Sequence, residues 1–112
     1  MPTDAEIESY AKSLPTIYRD ILAAFPEIEP GRKVGYGLAF QTIAAHFANK
    51  GLNHGFDEVQ DACQVLADSG FLRIRNGFFA HPTDLGERLI AAVAGQPIPA
   101  NARVPELPAR TW

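Results

Sequence analysis

Ile7, Tyr10, Leu14, Ile17, Ile21 and Phe25 recur three or four positions apart, a spacing that lays them along one face of a helix. Thr3 with Glu6 three residues later forms a capping box, so a helix starts there. Pro15 falls inside this pattern, where it has no amide hydrogen and its ring meets the carbonyl of Ala11, so the segment kinks or divides near Ser13. Phe25-Pro26 closes it, and Glu27 to Gly37, rich in proline and glycine, reads as a loop with a short strand at Lys33 to Tyr36.

Phe40, Ile43, Ala44 and Phe47 form a second apolar stripe, which predicts a helix from about Leu38 to Asn49 ended by Lys50-Gly51. After the tight turn Leu52 to Gly55, Asp57 is placed to cap a third helix, Phe56 to Ser69, with Val59, Ala62, Cys63 and Leu66 inward and Gly70 as its stop. Phe71 to Arg75, then Asn76-Gly77, then Phe78 to His81 read as a β-hairpin, because Asn-Gly supplies the two positive-φ positions of a type I′ turn. A two-residue turn sets Ile74 opposite Phe79, sends Leu72 and Ile74 to the core, and leaves Arg73 and Arg75 in solvent. Thr83 caps a last helix with Leu85, Leu89, Ile90 and Val93 inward and Gly95 as its stop. From Gln96 to Trp112, Pro97, Pro99, Pro105 and Pro108 favour an extended tail. The pattern predicts a mainly α fold with a small β-hairpin, a domain over 1–95 and a Pro-rich tail over 96–112.

A chain of 112 residues matches one domain, and 46% hydrophobic with 21% charged residues is an ordinary globular composition. The single cysteine permits no internal disulfide, the N-terminus lacks a signal-peptide layout, and no apolar run approaches the roughly 18 to 20 residues of a membrane span. A cytoplasmic protein without membrane contact is expected. Ten Lys+Arg against thirteen Asp+Glu give a net charge of −3, which argues against strong non-specific binding to nucleic acid and leaves room for a local basic patch.

The stretch from Val59 to Ile90 carries Leu66, Gly70, Phe71, Leu72, Gly77, Phe79, Thr83 and Gly86 in a recurring order: a helix ending in Leu-x-x-x-Gly-Phe-Leu, a glycine-tipped wing, an aromatic on the return strand, and Thr-x-x-Gly opening the next helix. In this order the chain resembles the winged helix-turn-helix superfamily, from about Leu14 to Ala94. The resemblance implies that the third helix enters the DNA major groove and the wing touches backbone or minor groove. It implies DNA contacts from Gln60 and Gln64 on that helix and from Asn76 on the wing. The sequence departs from the pattern in charge, since Asp57, Glu58, Asp61 and Asp68 lie on the third helix and no Lys or Arg does.

Arg73 and Arg75, with Lys50 before the turn and Arg32-Lys33 in the loop, form either a phosphate-contacting rim or a solubilising edge of the hairpin. Gly35-Tyr36-Gly37 lacks the remaining residues of a phosphate loop and reads as a turn. His46, His54 and Cys63 match no zinc spacing, and Cys63 sits on an inner stripe as a small hydrophobe, so neither metal nor cofactor is expected. Nothing places a nucleophile beside a base, and no enzyme activity is expected. Two functions stand: a DNA-binding transcriptional regulator acting through a basic wing, and a protein-interaction module that docks a partner through its acidic third helix or its tail with Trp112. Ile7, Tyr10 and Leu14 extend the first apolar face beyond the needs of a three-helix core, which predicts a homodimer.

Overall fold

The computed structural model describes residues 3–99 and 107; the expectations for Pro105, Pro108 and Trp112 lie outside them. The described residues are mainly helical, with five helices and a small antiparallel sheet of three strands.

The Thr3 hydroxyl accepts from the Glu6 amide at 3.2 Å, and the Glu6 carboxylate accepts from the Thr3 amide at 3.5 Å. This capping box opens α1, Asp4–Lys12. The segment divides at Pro15, with Ser13 capping the end of α1 and Pro15 preceding α2, Thr16–Ile28. α2 does not stop at Phe25 as the proline there suggested, and runs through Pro26 to Ile28. A proline in a last turn removes only one donor, and the helix closes with the Glu29 amide on the Phe25 carbonyl at 3.2 Å. Phe25 is fully buried and Ile28 packs against the core, so the apolar stripe continues past the break.

No strand forms at Lys33 to Tyr36, which is a turn closed by the Tyr36 amide on the Lys33 carbonyl at 3.1 Å. The strand is β1, Leu38–Ala39, and α3 therefore begins at Phe40 and runs to Asn49. Leu38 and Ala39 pair with Ala80 and Phe79, so sheet hydrogen bonds replace the helical turn that periodicity suggested. α4 spans Phe56–Asp68, and its N-cap is Gly55 rather than Asp57. The Val59 amide reaches the Gly55 carbonyl at 3.0 Å, so helical bonding is already under way by the time the chain reaches Asp57, whose carboxylate sits in the first turn.

β2, Leu72–Arg75, and β3, Phe79–Pro82, form the hairpin, and β3 lies centrally in the order β1-β3-β2. Asn76 and Gly77 both have positive φ, 55° and 75°, and the Phe78 amide donates to the Arg75 carbonyl at 3.2 Å, as a type I′ turn requires. The register differs from the expected one: Arg75 pairs with Phe79 and Ile74 with Ala80, leaving Phe78 as an extra residue. The Phe78 carbonyl is instead taken by the Phe40 amide at 2.9 Å, so β1 and α3 compete with the hairpin for this residue and displace the pairing by one.

α5, Asp84–Ala94, starts at Thr83, whose hydroxyl accepts from the Gly86 amide at 3.1 Å and donates to the Gly70 carbonyl at 2.6 Å. Gly86 lets this helix meet the backbone before β2, since a Cβ there would stand 1.9 Å from the Phe71 carbonyl oxygen. α5 packs against α1 and α2, and Leu85, Leu89 and Ile90 join Ile7, Tyr10 and Leu14 in one buried core. The apolar face of α1 that motivated the expected homodimer is thus covered within the chain. Ile98 and Leu107 also pack against this core. Among the described residues no helix is long and apolar enough to cross a membrane.

Candidate nucleic-acid interface

Alternation along β2 turns Leu72 and Ile74 inward and leaves Arg73 and Arg75 exposed. Directly paired residues of an antiparallel sheet share a face, so Arg73 stands beside His81 and Arg75 beside Phe79. Ala39, paired with Phe79, extends this outer face to β1. Neither arginine has an ion-pair or hydrogen-bond partner among the described residues, and both line a polar pocket of about 310 Å³ that also holds His81, Gly35 and Asp84. The guanidinium groups can take an anion, and among the described residues that line this pocket Asp84 is the one whose charge opposes it.

His81 is held in place. Its Nδ1 lies 3.2 Å from the Gly35 carbonyl, an acceptor only, so this nitrogen carries the proton. Its ring occupies the space above Gly37, where a Cβ would approach ring atoms to between 2.4 and 2.7 Å. The aromatic rings next to it form a row, with centroids 6.2 Å apart for Phe79 and His81 and 4.6 Å apart for Phe78 and Phe79. Phe78 is 48% exposed.

Of the predicted rim, only the hairpin arginines, Arg73 and Arg75, come together. Arg32 is removed from it by a buried bidentate ion pair with Glu87, one bond of which is 2.9 Å, so its guanidinium is occupied and cannot reach a phosphate. Lys33 is exposed in the neighbouring turn. Lys50 is engaged by Glu27 at 2.9 and 3.1 Å. Glu27 also bonds the His46 ring at 2.9 Å, and that bond, reinforced by Lys50 and only partly opposed by burial, lowers the Glu27 pKa. Gln60 is exposed on α4, and Gln64 donates to Asp68 on the same helix at 2.9 Å. Asp57, Glu58, Asp61 and Asp68 are all exposed, so the outer face of α4 is acidic, as its sequence requires.

His81, Phe78 and Phe79 are the members of this surface that sequence reasoning missed as a site. The signal that could have found them is the aromatic pair after Asn-Gly, concealed by the assumption of a simple two-residue register. Elsewhere, His54 pairs with Asp20 at 2.8 Å and packs edge-on to Phe47, which fixes the turn before α4 to α2. Cys63 is buried, and desolvation pushes its pKa up to about 12, so the thiol stays protonated and unreactive. No cluster of three or more His, Cys, Asp or Glu suited to a metal occurs among the described residues.

No protein-family model matches the chain, and comparisons with curated proteins and with solved structures find no match.

Proposed function

We propose that the chain is a winged helix-turn-helix domain acting as a small DNA-binding transcriptional regulator, and that it meets the DNA backbone mainly through its wing. The order α2, β1, α3, α4, hairpin, with β1 paired to the return strand of that hairpin, supports the architecture. One observation carries the binding role. In a chain of net charge −3, Arg73 and Arg75 stand exposed on one strand with no acidic partner among the described residues, next to an ordered histidine and a turn that presents Asn76. Cations so placed complement phosphate oxygens. The acidic α4 opposes insertion into a major groove, so contact through the wing is weak and falls steeply with salt. A titration of a duplex between about 50 and 200 mM salt tests this reading. Binding at low salt that disappears in the Arg73→Ala, Arg75→Ala double variant supports it, and binding indifferent to that change overturns it.

The exposed carboxylates of Asp57, Glu58, Asp61 and Asp68 favour a second reading, in which α4 docks a basic protein partner. Under it, no duplex is bound even at low salt, and Asp61→Lys or Asp68→Lys abolishes the protein complex.

A further inference from the structure

The outer face of the sheet sets two features side by side. A row of rings, Phe78 at the turn and Phe79 and His81 on β3, stands beside a row of cations on β2, Arg75 opposite Phe79 and Arg73 opposite His81. We propose that this face binds single-stranded nucleic acid, the rings stacking on unpaired bases while the two arginines hold the adjoining phosphates. A platform of this kind presupposes the nucleic-acid reading above and narrows its ligand from a duplex to a strand.

An exposed aromatic ring by itself needs no explanation. The arrangement here has more content, because the one-residue displacement of the hairpin creates it. With Ile74 opposite Phe79, the Phe79 ring would have joined the core; with Arg75 opposite Phe79, it turns to the arginine side, and Phe78 is left beside it at the turn. His81 is fixed by the Gly35 carbonyl and by the absence of a side chain at Gly37, so the far end of the row is ordered before any ligand arrives.

Base faces are open for stacking in a single strand and are covered by neighbouring pairs in a duplex. A strand also presents a single line of phosphates, matched by the single line of Arg73 and Arg75. A duplex brings a second backbone to a domain whose α4 carries four exposed carboxylates and no cation. Stacking plus one cationic track is the chemistry of sequence-tolerant strand binding, and it serves DNA and RNA alike because every base has a π face.

The test is fluorescence anisotropy of the whole chain with a labelled mixed-sequence DNA of about 15 nucleotides, its RNA counterpart, and the DNA annealed to its complement. The strands should bind more tightly than the duplex, and Phe78→Ala should weaken strand binding about five- to a hundredfold while leaving duplex binding nearly unchanged. Phe78→Trp should restore it. DNA and RNA strands binding alike places recognition on the bases and phosphates, whereas a requirement for RNA adds a contact to the 2′-hydroxyl. Ring-proton shifts of Phe78 and Phe79 in the unaltered protein on adding the strand provide a readout independent of any variant's folding. A duplex bound as tightly as the strand, or ring protons that do not move, overturns the platform while leaving wing contact with DNA standing. Failure of every oligonucleotide to bind at low salt overturns both.

Discussion

Arg32 and Glu87, 55 positions apart, form a bidentate ion pair in which each side chain is only 8% exposed. The Glu87 carboxylate also accepts the Gly35 amide at 2.6 Å, and the Arg32 guanidinium lies 5.4 Å above the Phe25 ring. One carboxylate on α5 thus ties the loop after α2 to the core, while the arginine adds a cation–π contact to α2 itself. The same loop supplies the Gly35 carbonyl that orients His81, so the ion pair lies one step behind the hairpin.

Removing one partner leaves a buried charge without compensation, whereas replacing both with apolar groups leaves none. Glu87→Leu and Arg32→Met should each lower stability by about 3 to 5 kcal/mol in urea denaturation, and the two together should lie near the parent. A cost for the double change equal to the sum of the two singles would show that the pair is not coupled.

Two glycines are constrained by space, with different neighbours. A methyl at Gly86 meets the Phe71 carbonyl, which belongs to a backbone held by the Thr83 amide at 3.0 Å, so helix and strand must separate. Gly86→Ala should cost about 2 to 3 kcal/mol or more, the scale of overpacking against groups that cannot yield. The nearest atoms to a methyl at Gly37 belong instead to the His81 ring, a side chain that can shift at the cost of its 3.2 Å bond to the Gly35 carbonyl. Gly37→Ala should therefore change thermal stability little, yet weaken oligonucleotide binding by displacing His81.

These cases show which features are legible in the chain. Thr3-Glu6, Pro15, Asn76-Gly77 and Thr83 act through neighbours within four positions, and each forms the cap, break or turn that its chemistry predicts. The placement of β1 and the register of the hairpin depend on pairing between Leu38-Ala39 and Phe79-Ala80, about forty positions away, which local periodicity cannot register. Arg73 and Arg75 are legible because alternation fixes their face, whereas Phe79 is assigned to the wrong face because one unpaired residue reverses the alternation. Arg32 is misassigned to the rim because charge alone does not reveal a partner as distant as Glu87.

Glu27 gives a pH-dependent contribution of known sign. Its folded pKa is depressed, chiefly by the His46 bond, below the ordinary value of 4.5. A group of this kind adds stability above its unfolded pKa and loses it as pH falls through the folded one. Glu27→Gln should therefore lower stability at neutral pH and approach the parent in acid below the depressed pKa. Its side chain is 40% exposed, so solvent screening limits the difference to about 1 kcal/mol or less. A parent and variant separated equally at neutral and acid pH would place the effect outside the carboxylate's titration.

The acidic face of α4 makes the last prediction a question of sign. Any duplex resting on the wing brings a backbone with one charge per about 1.7 Å of axis toward a domain that exposes Asp57, Glu58, Asp61 and Asp68. Asp61 has no ion pair among the described residues, so Asp61→Asn removes repulsion without breaking a bond. If α4 faces the duplex, Asp61→Asn should tighten binding, most strongly at low salt, where screening is weakest. Arg73→Ala with Arg75→Ala should act in the opposite direction and abolish binding, and each single change should flatten the dependence of log K on log salt by about one, for the phosphate that its arginine no longer neutralises. The two changes therefore separate the roles of helix and wing. If Asp61→Asn leaves duplex affinity unchanged while the arginine variant reduces it, α4 points away from the nucleic acid and only the sheet face touches it; if Asp61→Asn weakens binding, the carboxylate itself makes a contact, such as one with a cytosine amino group, and the repulsion argued for α4 is wrong.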